Sequence, residues 1–310
     1  MSERLAALIR ANQPAVALTG AGVSTESGIP DFRSPTGIWA SFDPREYATL
    51  GAFRRDPVNV WRFYAPRFAM LAEAEPNRAH RALAELERLG FLRAVVTQNI
   101  DLLHERAGSR DVVEVHGSIR TSSCHGCGAR YPLGEVAPLV EAGDGAPRCP
   151  ACGTVLKPDV VFFDELLPAD AIDRAFALAV EARLLLVIGS SLEVYPVAGL
   201  PEETLNAGGK VAVVNRTPTW VDGRAALVLR AGAGDVLEAT VAALGYERAA
   251  AETYKTFFFP SRPRGKFAGK PILYPQMLVR RRYFVPAYVA ICAAVLAVGA
   301  VALRNVGVVQ

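Results

Sequence analysis

The chain has 310 residues, 51% of them hydrophobic and 21% charged, which is enough apolar sequence to bury a large core and excludes a wholly disordered chain. Nine of its 34 Lys and Arg residues lie from Lys255 onward, where no acidic residue occurs, so residues 1–254 carry 25 basic against 31 acidic side chains. This acidic balance makes nucleic-acid binding the least favoured function class.

Short apolar, β-branched runs alternate with helical periodicity along the first 250 residues. The runs occupy 15–19, 94–97, 112–115, 184–188, 211–214 and 226–229, and the clearest helical patterns occupy 79–89 and 169–182. Continuous apolar runs suit strands buried on both faces, and their alternation with helices predicts an α/β protein with a Rossmann-like, doubly wound parallel sheet. Two segments, about 33–75 and 121–156, interrupt the alternation and predict a smaller second domain.

The first predicted strand leads into the sequence GAGVSTESGIPDFR at residues 20–33. Gly20 and Gly22 would let the backbone approach a pyrophosphate closely, with the N–H groups of a following helix beside them. Thr25 stands where a third glycine is usual, which disfavours an ordinary dehydrogenase. A tight strand-to-helix turn without a ligand explains the glycines equally well, so this motif alone leaves the function open.

Six sequence blocks, in order, resemble the sirtuin family. They are residues 20–33, TQNID at 97–101, VHG at 115–117, two CxxC pairs, KPDVVFF at 157–163 and GSSLEVYP at 189–196. The resemblance covers nearly all of residues 1–245 and implies a catalytic domain over residues 1–250. It also implies an enzyme that uses NAD as co-substrate to remove acyl groups from lysine side chains of proteins or peptides, giving nicotinamide and O-acyl-ADP-ribose.

The resemblance further assigns roles to residues at the predicted carboxyl ends of the strands. His116 is the expected general base, because an imidazole with a pKa near 6.5 exchanges protons close to neutral pH. Asn99 and Asp101 are the other expected catalytic residues, near the nicotinamide ribose and the carboxamide. The residues expected to contact NAD are Gly20, Ala21, Gly22, Ser24, Asp31, Phe32, Arg33, Trp39, Gln98, Asn99, Ile100, Asp101, Gly189, Ser190, Ser191, Asn215 and Ala233.

Four of the five cysteines form two CxxC pairs, Cys124 with Cys127 and Cys149 with Cys152. Two such pairs can supply the four thiolates of a tetrahedral zinc site, and a filled shell leaves no open position for catalysis. We therefore predict one structural Zn²⁺ in a zinc ribbon within residues 121–156, in a reducing compartment. A redox role for these thiols is the alternative.

Tyr64 and Arg67 lie three residues apart in the helix-like stretch VWRFYAPRF, on one face. The pair is similar to the Tyr-x-x-Arg of sirtuins that remove succinyl, malonyl and glutaryl groups, and a guanidinium can bind a carboxylate with two parallel hydrogen bonds. We expect desuccinylation or demalonylation to be favoured, with deacetylation left open. Two residues depart from the family pattern: Pro66 could kink the helix, and Asp164 replaces a usual glycine and could crowd or repel the substrate.

Residues 251–283 are rich in Pro, Gly, Lys and Arg and predict a basic linker. Residues 285–303 contain no charge, and nineteen residues nearly span a hydrocarbon core of roughly 30 Å. We therefore predict a transmembrane helix at 284–303 in contact with the lipid bilayer, and Arg280, Arg281 and Arg282 place the catalytic domain in the cytoplasm. A buried core helix, or a tail absent from the natural protein, are the alternatives.

Three other functions remain alternatives. Transfer of ADP-ribose to a protein would use the same site, although Tyr64 and Arg67 favour deacylation. A membrane-tethered NAD-binding module without turnover would leave His116, Asn99 and Asp101 unexplained. Nucleic-acid binding through the zinc ribbon is least favoured, because residues 121–156 contain two basic and three acidic side chains.

Overall fold

A computed structural model of the chain describes residues 1–142 and 145–258. Residues Met1–Glu252 form one compact unit of the chain. The helices of the described residues are α1 (Ser2–Ala11), α2 (Pro44–Tyr47), α3 (Leu50–Arg55), α4 (Pro57–Glu73), α5 (Arg78–Arg88), α6 (Leu103–Arg106), α7 (Leu133–Ala142), α8 (Ala169–Glu181), α9 (Leu200–Asn206) and α10 (Ala233–Phe258).

The strands form one large and one small sheet. They are β1 (Ala15–Thr19), β2 (Ala94–Thr97), β3 (Val112–Glu114), β4 (Gly117–Cys124), β5 (Arg130–Pro132), β6 (Leu156–Val160), β7 (Leu184–Ile188), β8 (Lys210–Val214) and β9 (Leu227–Leu229). The large sheet has the order β3-β2-β1-β7-β8-β9, and all its neighbouring strands are parallel. The strand order reverses between β1 and β7, which is the Rossmann arrangement. The predicted doubly wound parallel sheet is confirmed, with each strand within one residue of its predicted bounds.

Helices cover both faces of the large sheet. Every residue of β1, β2 and β7 is buried. Ala17 and Leu186 pack into an apolar cluster with α1, α5 and α10, whereas Leu18 and Val187 pack into a second cluster with α8 and α9. Because neighbouring residues of a strand point to opposite faces, both faces need apolar side chains, and this explains the continuous apolar runs of the sequence.

The small sheet has the order β5-β4-β6, and its strands are antiparallel. A third apolar cluster joins it to α4 and α7 and includes Trp61, Phe68, Val136 and Phe162. The indole N–H of Trp61 donates to the backbone carbonyl of Leu156 at 2.8 Å. The two segments that interrupt the alternation in the sequence, 33–75 and 121–156, therefore contribute to one smaller core.

The C-terminal part of the chain is described only as far as Phe258, where α10 ends. Residues 251–258, the first part of the predicted linker, are helical and belong to α10. The rest of that linker and the predicted transmembrane helix at 284–303 lie outside the described residues. Within the described residues, no helix combines the length and the apolar character needed to cross a bilayer.

Candidate active site

Glycines bring two backbone segments together where β1 and β7 end, at the reversal of the strand order. The N–H of Gly22 donates to the carbonyl of Gly189 at 2.9 Å, and that of Gly20 donates to Ile188 at 3.2 Å. A Cβ on Gly22 would lie 2.8 Å from the Gly189 oxygen, and one on Gly189, whose φ is +60°, would lie 2.3 Å from the Val23 nitrogen. Residues larger than glycine are therefore excluded, and the absence of side chains at this turn fits the close approach of a pyrophosphate.

A buried hydrogen-bonded cluster joins the turn after β1 to the loop after β2. The hydroxyl of Ser24 donates to the carboxylate of Asp101 at 2.6 Å. The amide of Asn99 donates to the Ser24 oxygen at 3.0 Å and to the carbonyl of Gly20 at 3.2 Å. Asp101 also accepts the backbone N–H of Leu103 at 3.0 Å. The structure thus brings together predicted residues from two distant sequence blocks and fixes their side chains.

Gln98 links the end of β2 to the end of β7. Its side-chain amide donates to the hydroxyl oxygen of Ser190 at 2.8 Å and more weakly to the carbonyl of Thr19 at 3.3 Å. Ser191 follows Ser190 and is half-buried. Ile100 is half-buried and packs against the smaller core, and its carbonyl accepts the N–H of Ile119 at 3.2 Å. The predicted blocks at 97–101 and 189–196 therefore share one edge of the sheet.

His116 follows β3 at the same sheet edge and is half-buried. Its Nδ1 atom lies 3.1 Å from the carbonyl oxygen of Gln98. A carbonyl only accepts, so Nδ1 carries the proton and Nε2 is the nitrogen with a free lone pair. Burial lowers the pKa of His116, the bond to Gln98 opposes this effect, and the positive charge of Arg33 adds to it. At neutral pH the imidazole is therefore a neutral base.

The segment after the glycine turn lies at the edge of the cleft. The carboxylate of Asp31 accepts the N–H of Ser34 at 2.8 Å, which shapes a tight turn. The rings of Phe32 and Trp39 stack with their centroids 5.4 Å apart. Arg33 forms an ion pair of 2.9 Å with Glu193, and its charge reaches His116. These contacts place the predicted cofactor loop against the segment that follows β7.

The remaining predicted cofactor residues lie on the other side of β1. Asn215 follows β8 and Ala233 begins α10, whereas Asn99 follows β2 and His116 follows β3. Ala21 lies in the short helical turn Ala21–Val23 beneath the strand reversal. The structure therefore does not bring all the predicted residues into one cluster. They form two groups on either side of β1, a layout suited to an extended ligand with two ends.

Two buried histidines beneath the cluster were missed by the sequence analysis. His104 Nε2 lies 2.9 Å from the Thr19 hydroxyl, and the His80 ring lies 4.9 Å from the His104 ring. Burial lowers the pKa of His80 to about 4 and that of His104 to about 3, so both are neutral at neutral pH. Asn77 and His80 form a capping box at the start of α5, and this spacing is the signal that could have drawn attention to His80.

The predicted acyl-binding residues Tyr64 and Arg67 lie on α4, which continues through Pro66. The Tyr64 ring stacks on that of Phe162 with centroids 5.4 Å apart, and burial raises the pKa of its phenol. The guanidinium of Arg67 lies 3.6 Å from the centroid of the Phe63 ring and donates to the Phe63 carbonyl. The sequence left open a kink at Pro66, and the structure has one helix that runs through this residue from Pro57 to Glu73.

Asp164 lies in a turn directly after the segment that carries Phe162. Its φ of +68° is in the left-handed region, where glycine has no steric penalty, and this explains why a glycine would suit the position. The side chain is exposed. The preceding residue, Phe163, donates its N–H to the carbonyl of Ala48 at 2.8 Å and is also exposed.

The four predicted metal ligands converge in the small-sheet region. The sulfur atoms of Cys124, Cys127, Cys149 and Cys152 all lie within 4.8 Å of one another. The Sγ separations are 3.4 Å for Cys124 and Cys152 and 3.6 Å for Cys127 and Cys149. A tetrahedral zinc with Zn–S bonds of about 2.3 Å needs sulfur separations of about 3.8 Å, so the cluster fits the ion closely.

Comparisons with known proteins agree on one family. The profile described as "Sir2 family" matches residues 20–196. A protein of Caldivirga maquilingensis called "NAD-dependent protein deacetylase" is 45% identical over 235 residues, which are 76% of this chain and 90% of that protein. An "NAD-dependent protein deacylase" of Thermococcus kodakarensis is 48% identical over 225 residues, covering 72% of this chain and 88% of the relative.

Solved structures give the same assignment. A Sir2 homologue in complex with ADP ribose superposes with a TM-score of 0.76 at 42% identity, covering 80% of this chain and 98% of that structure. A Sir2 complex with a deacetylated p53 peptide and 3′-O-acetyl ADP ribose superposes with a TM-score of 0.75 at 38% identity, covering 77% and 97% respectively.

Proposed function

The chain belongs to the Sir2 family and is an NAD-dependent protein-lysine deacylase, and on this premise we propose that it favours acidic acyl groups such as succinyl and malonyl. One observation carries the proposal. Arg67 and Tyr64 lie on the same helix, and Tyr64 stacks on Phe162, which lies two residues after the end of β6.

Arg67 is a cation suited to receive a carboxylate. Its guanidinium lies over the rings of Phe63 at 3.6 Å and Phe42 at 4.7 Å, which restrict its position. Within the described residues, its only bonded partner is the Phe63 carbonyl, and no carboxylate pairs with it. A guanidinium has five N–H donors, so enough of them remain for a carboxylate.

Tyr64 complements Arg67 as a neutral donor. Burial raises the pKa of its phenol, the positive charge of Arg67 opposes the rise, and Glu165 adds to it. At neutral pH the hydroxyl therefore keeps its proton and can donate a hydrogen bond to a carboxylate. Acetyl-lysine has no carboxylate for either side chain, which is the basis of the proposed selectivity.

We propose that His116 is the general base and that Asn99 and Asp101 fix the nicotinamide end of the cofactor. NAD supplies the sugar carbon to which the acyl oxygen becomes bonded as nicotinamide leaves. The hydrogen bond from Nδ1 to Gln98 keeps Nε2 of His116 unprotonated and ready to take a proton. The Ser24–Asp101 bond keeps that carboxylate oriented in a buried site, and Gly20, Gly22 and Gly189 provide a backbone surface for the pyrophosphate.

We propose that the four cysteines hold one structural zinc ion. Cys124 is the last residue of β4, and Cys149 and Cys152 lie before β6, so the ion would join the ends of two paired strands. All four ligand positions would be filled by thiolates, which leaves none for a reacting water. The ion would stabilise the small sheet without taking part in the reaction.

Acyl selectivity is tested by nicotinamide release from succinyl-lysine and acetyl-lysine peptides of the same sequence. The succinyl peptide should give the higher kcat/KM. In Arg67→Met, the succinyl value should fall by about 10- to 100-fold, because a hydrogen bond to a charged group contributes roughly 1.5–3 kcal/mol. The acetyl value should change much less.

Arg62→Met is the matched control, because Arg62 is an exposed arginine on the same helix. The substitution should leave kcat/KM unchanged for both peptides. Equal or better turnover of the acetyl peptide by the unaltered enzyme would contradict the proposed preference, and so would an equal loss on both peptides in Arg67→Met.

We propose further that residues 284–303 anchor the enzyme in a bilayer with the catalytic part on the cytoplasmic side. The support is the uncharged stretch 285–303 and the three arginines before it. The full chain should stay with membranes after a high-salt wash and leave them only in detergent, whereas a chain ending at Phe258 should be recovered without detergent. Release of the full chain by salt alone would contradict a spanning anchor.

A further inference from the structure

A buried ion pair lies behind the proposed acyl site. The ammonium of Lys157 and the carboxylate of Glu165 are 2.9 Å apart, and the two side chains are only 7% and 15% exposed. Lys157 also donates to the backbone carbonyls of Val160 at 2.9 Å and Pro158 at 3.0 Å. Its three N–H donors are thus all accounted for, as a buried ammonium requires.

The pair closes the segment that follows β6 into a fixed loop. The same Glu165 oxygen that meets Lys157 accepts the backbone N–H of Phe162 at 2.7 Å. The backbone N–H of Glu165 in turn donates to the Phe162 carbonyl at 3.2 Å. Between these two residues the chain passes through Asp164 in its left-handed conformation. The position of the Phe162 backbone therefore depends on the Glu165 carboxylate.

This loop touches both halves of the proposed site. The N–H of Val161 donates to the carbonyl of His116 at 2.9 Å. The Phe162 ring contacts both the Lys157 ammonium, 4.3 Å from its centroid, and the Tyr64 ring, whose centroid is 5.4 Å away. A displacement of the Lys157–Glu165 pair would therefore move the Phe162 ring, which supports Tyr64, relative to the imidazole of His116.

Stability alone does not explain a buried ion pair at this point. The cost of removing two charges from water often offsets their attraction, and apolar residues of similar size are frequently as stabilising. Phe162, Tyr64 and their neighbours already form an apolar cluster that a Met or Leu could join. The pair instead leaves two opposite charges next to a site whose proposed substrate group is itself negative.

We propose that Lys157 and Glu165 are positioning residues that set acyl selectivity: they hold Phe162 against Tyr64, and Lys157 cancels a carboxylate charge that would otherwise repel an acidic acyl group. This inference rests on the proposed acyl site. The charge of Glu165 reaches Tyr64, where it adds to the rise of the phenol pKa caused by burial. With Lys157 in contact, the two charges form a dipole whose field at the acyl group is small.

A purely structural role would not predict opposite effects of the two single substitutions, whereas an electrostatic role does, because the substitutions leave charges of opposite sign. Lys157→Met leaves an uncompensated carboxylate, and Glu165→Gln leaves an uncompensated ammonium while keeping an oxygen to accept the Phe162 N–H. The quantity to measure is the ratio of kcat/KM for a succinyl-lysine peptide to that for the matched acetyl-lysine peptide, at pH 8 and low salt.

We expect the ratio to fall about tenfold in Lys157→Met and to rise in Glu165→Gln, and to return close to the unaltered value in the double variant. Lys157→Arg keeps the charge and should keep the ratio. Movement of the ratio in the same direction in both single variants, or no movement in either, would overturn the inference. If Lys157→Met does not fold, as judged by its circular dichroism melt, the rise in Glu165→Gln and the unchanged ratio in Lys157→Arg still decide the question.

The same measurements separate this inference from the proposed function. The ratio of the unaltered enzyme tests the preference for acidic acyl groups. The opposite shifts in the two variants test the role of the pair, because the repulsion of a charged acyl group does not depend on which peptide the enzyme prefers.

Discussion

The Nδ1–H of His116 donates to the backbone carbonyl of Gln98 at 3.1 Å, and this contact decides which nitrogen of the imidazole can act as a base. Gln98 itself bonds Ser190 across the strand reversal, so the ring is oriented by groups from three strands of one sheet.

The enzyme should keep its deacylase activity down to pH values below 6.5. Burial lowers the pKa of His116, and the proposed mechanism uses the neutral imidazole, so the acid limb of the kcat/KM profile should have its midpoint below the ordinary value near 6.5. Activity is lost as the pH falls through that midpoint. A pH series of nicotinamide release measures it, and a midpoint above 6.5 would reject the neutral-base assignment.

Replacing His116 should remove base catalysis with little effect on folding. We expect His116→Ala to lose about 10²- to 10⁴-fold in kcat, because a positioned general base contributes that much. His125→Ala is the matched control, since His125 is an exposed histidine next to the proposed zinc ligands. Titration calorimetry with NAD should show that His116→Ala still binds the cofactor, and a variant that keeps its kcat would exclude His116 as the base.

The buried histidines should make the fold sensitive to acid. His80 and His104 have pKa values of about 4 and about 3 in the folded chain, against about 6.5 when unfolded. The unfolded state therefore binds more protons below pH 6.5, and the free energy of unfolding should fall as the pH drops from 6.5 towards 4. The slope approaches about 1.4 kcal/mol per pH unit for each imidazole. Urea melts between pH 6.5 and 5 measure how steeply the free energy of unfolding falls with pH. This slope should be clearly smaller in His104→Gln, and an unchanged slope would contradict this account.

Removing zinc should unfold the small-sheet region and leave the large sheet in place. The four sulfurs lie within 4.8 Å of one another and join the ends of β4 and β6. A colorimetric assay should find one zinc per chain, and Cys127→Ser should lose it. We expect a partial loss of structure, and recovery when zinc is returned to the chelator-treated protein. A chain that keeps its melting temperature after complete zinc removal would show that the ion is dispensable.

Substitution of Asp164 should relieve backbone strain and improve the use of acidic substrates. A left-handed conformation costs a non-glycine residue roughly 1–2 kcal/mol, and aspartate somewhat less, so Asp164→Gly should be more stable by up to about 1 kcal/mol. Asp164→Asn separates the two effects, because it removes the charge and tolerates the same φ. If charge repulsion matters, both variants should raise kcat/KM for a succinyl peptide, and a gain in the glycine variant alone would assign the effect to the backbone.

Much of the fold was determined by local sequence patterns. The apolar runs predicted all six strands of the large sheet within one residue, because a strand buried on both faces consists mostly of apolar residues. The two CxxC pairs predicted the cluster of sulfurs, since each pair already brings two ligands together. The helix around Tyr64 and Arg67 was also predicted, and α4 continues through Pro66 because the packing of Trp61, Phe63 and Phe68 outweighs the bond that proline cannot make.

What only the tertiary structure decided is how side chains from distant blocks meet. Sequence motifs named Ser24, Asp101 and His116, but the Ser24–Asp101 bond and the tautomer of His116 depend on strands that become neighbours only after folding. The Asn77–His80 spacing could indicate only the start of a helix, and His104 and the Lys157–Glu165 pair gave no recognisable signal, because burial is a property of the packed chain. Polar residues in a sequence show which chemistry is available, and the packing around them decides which of their atoms are free to perform it.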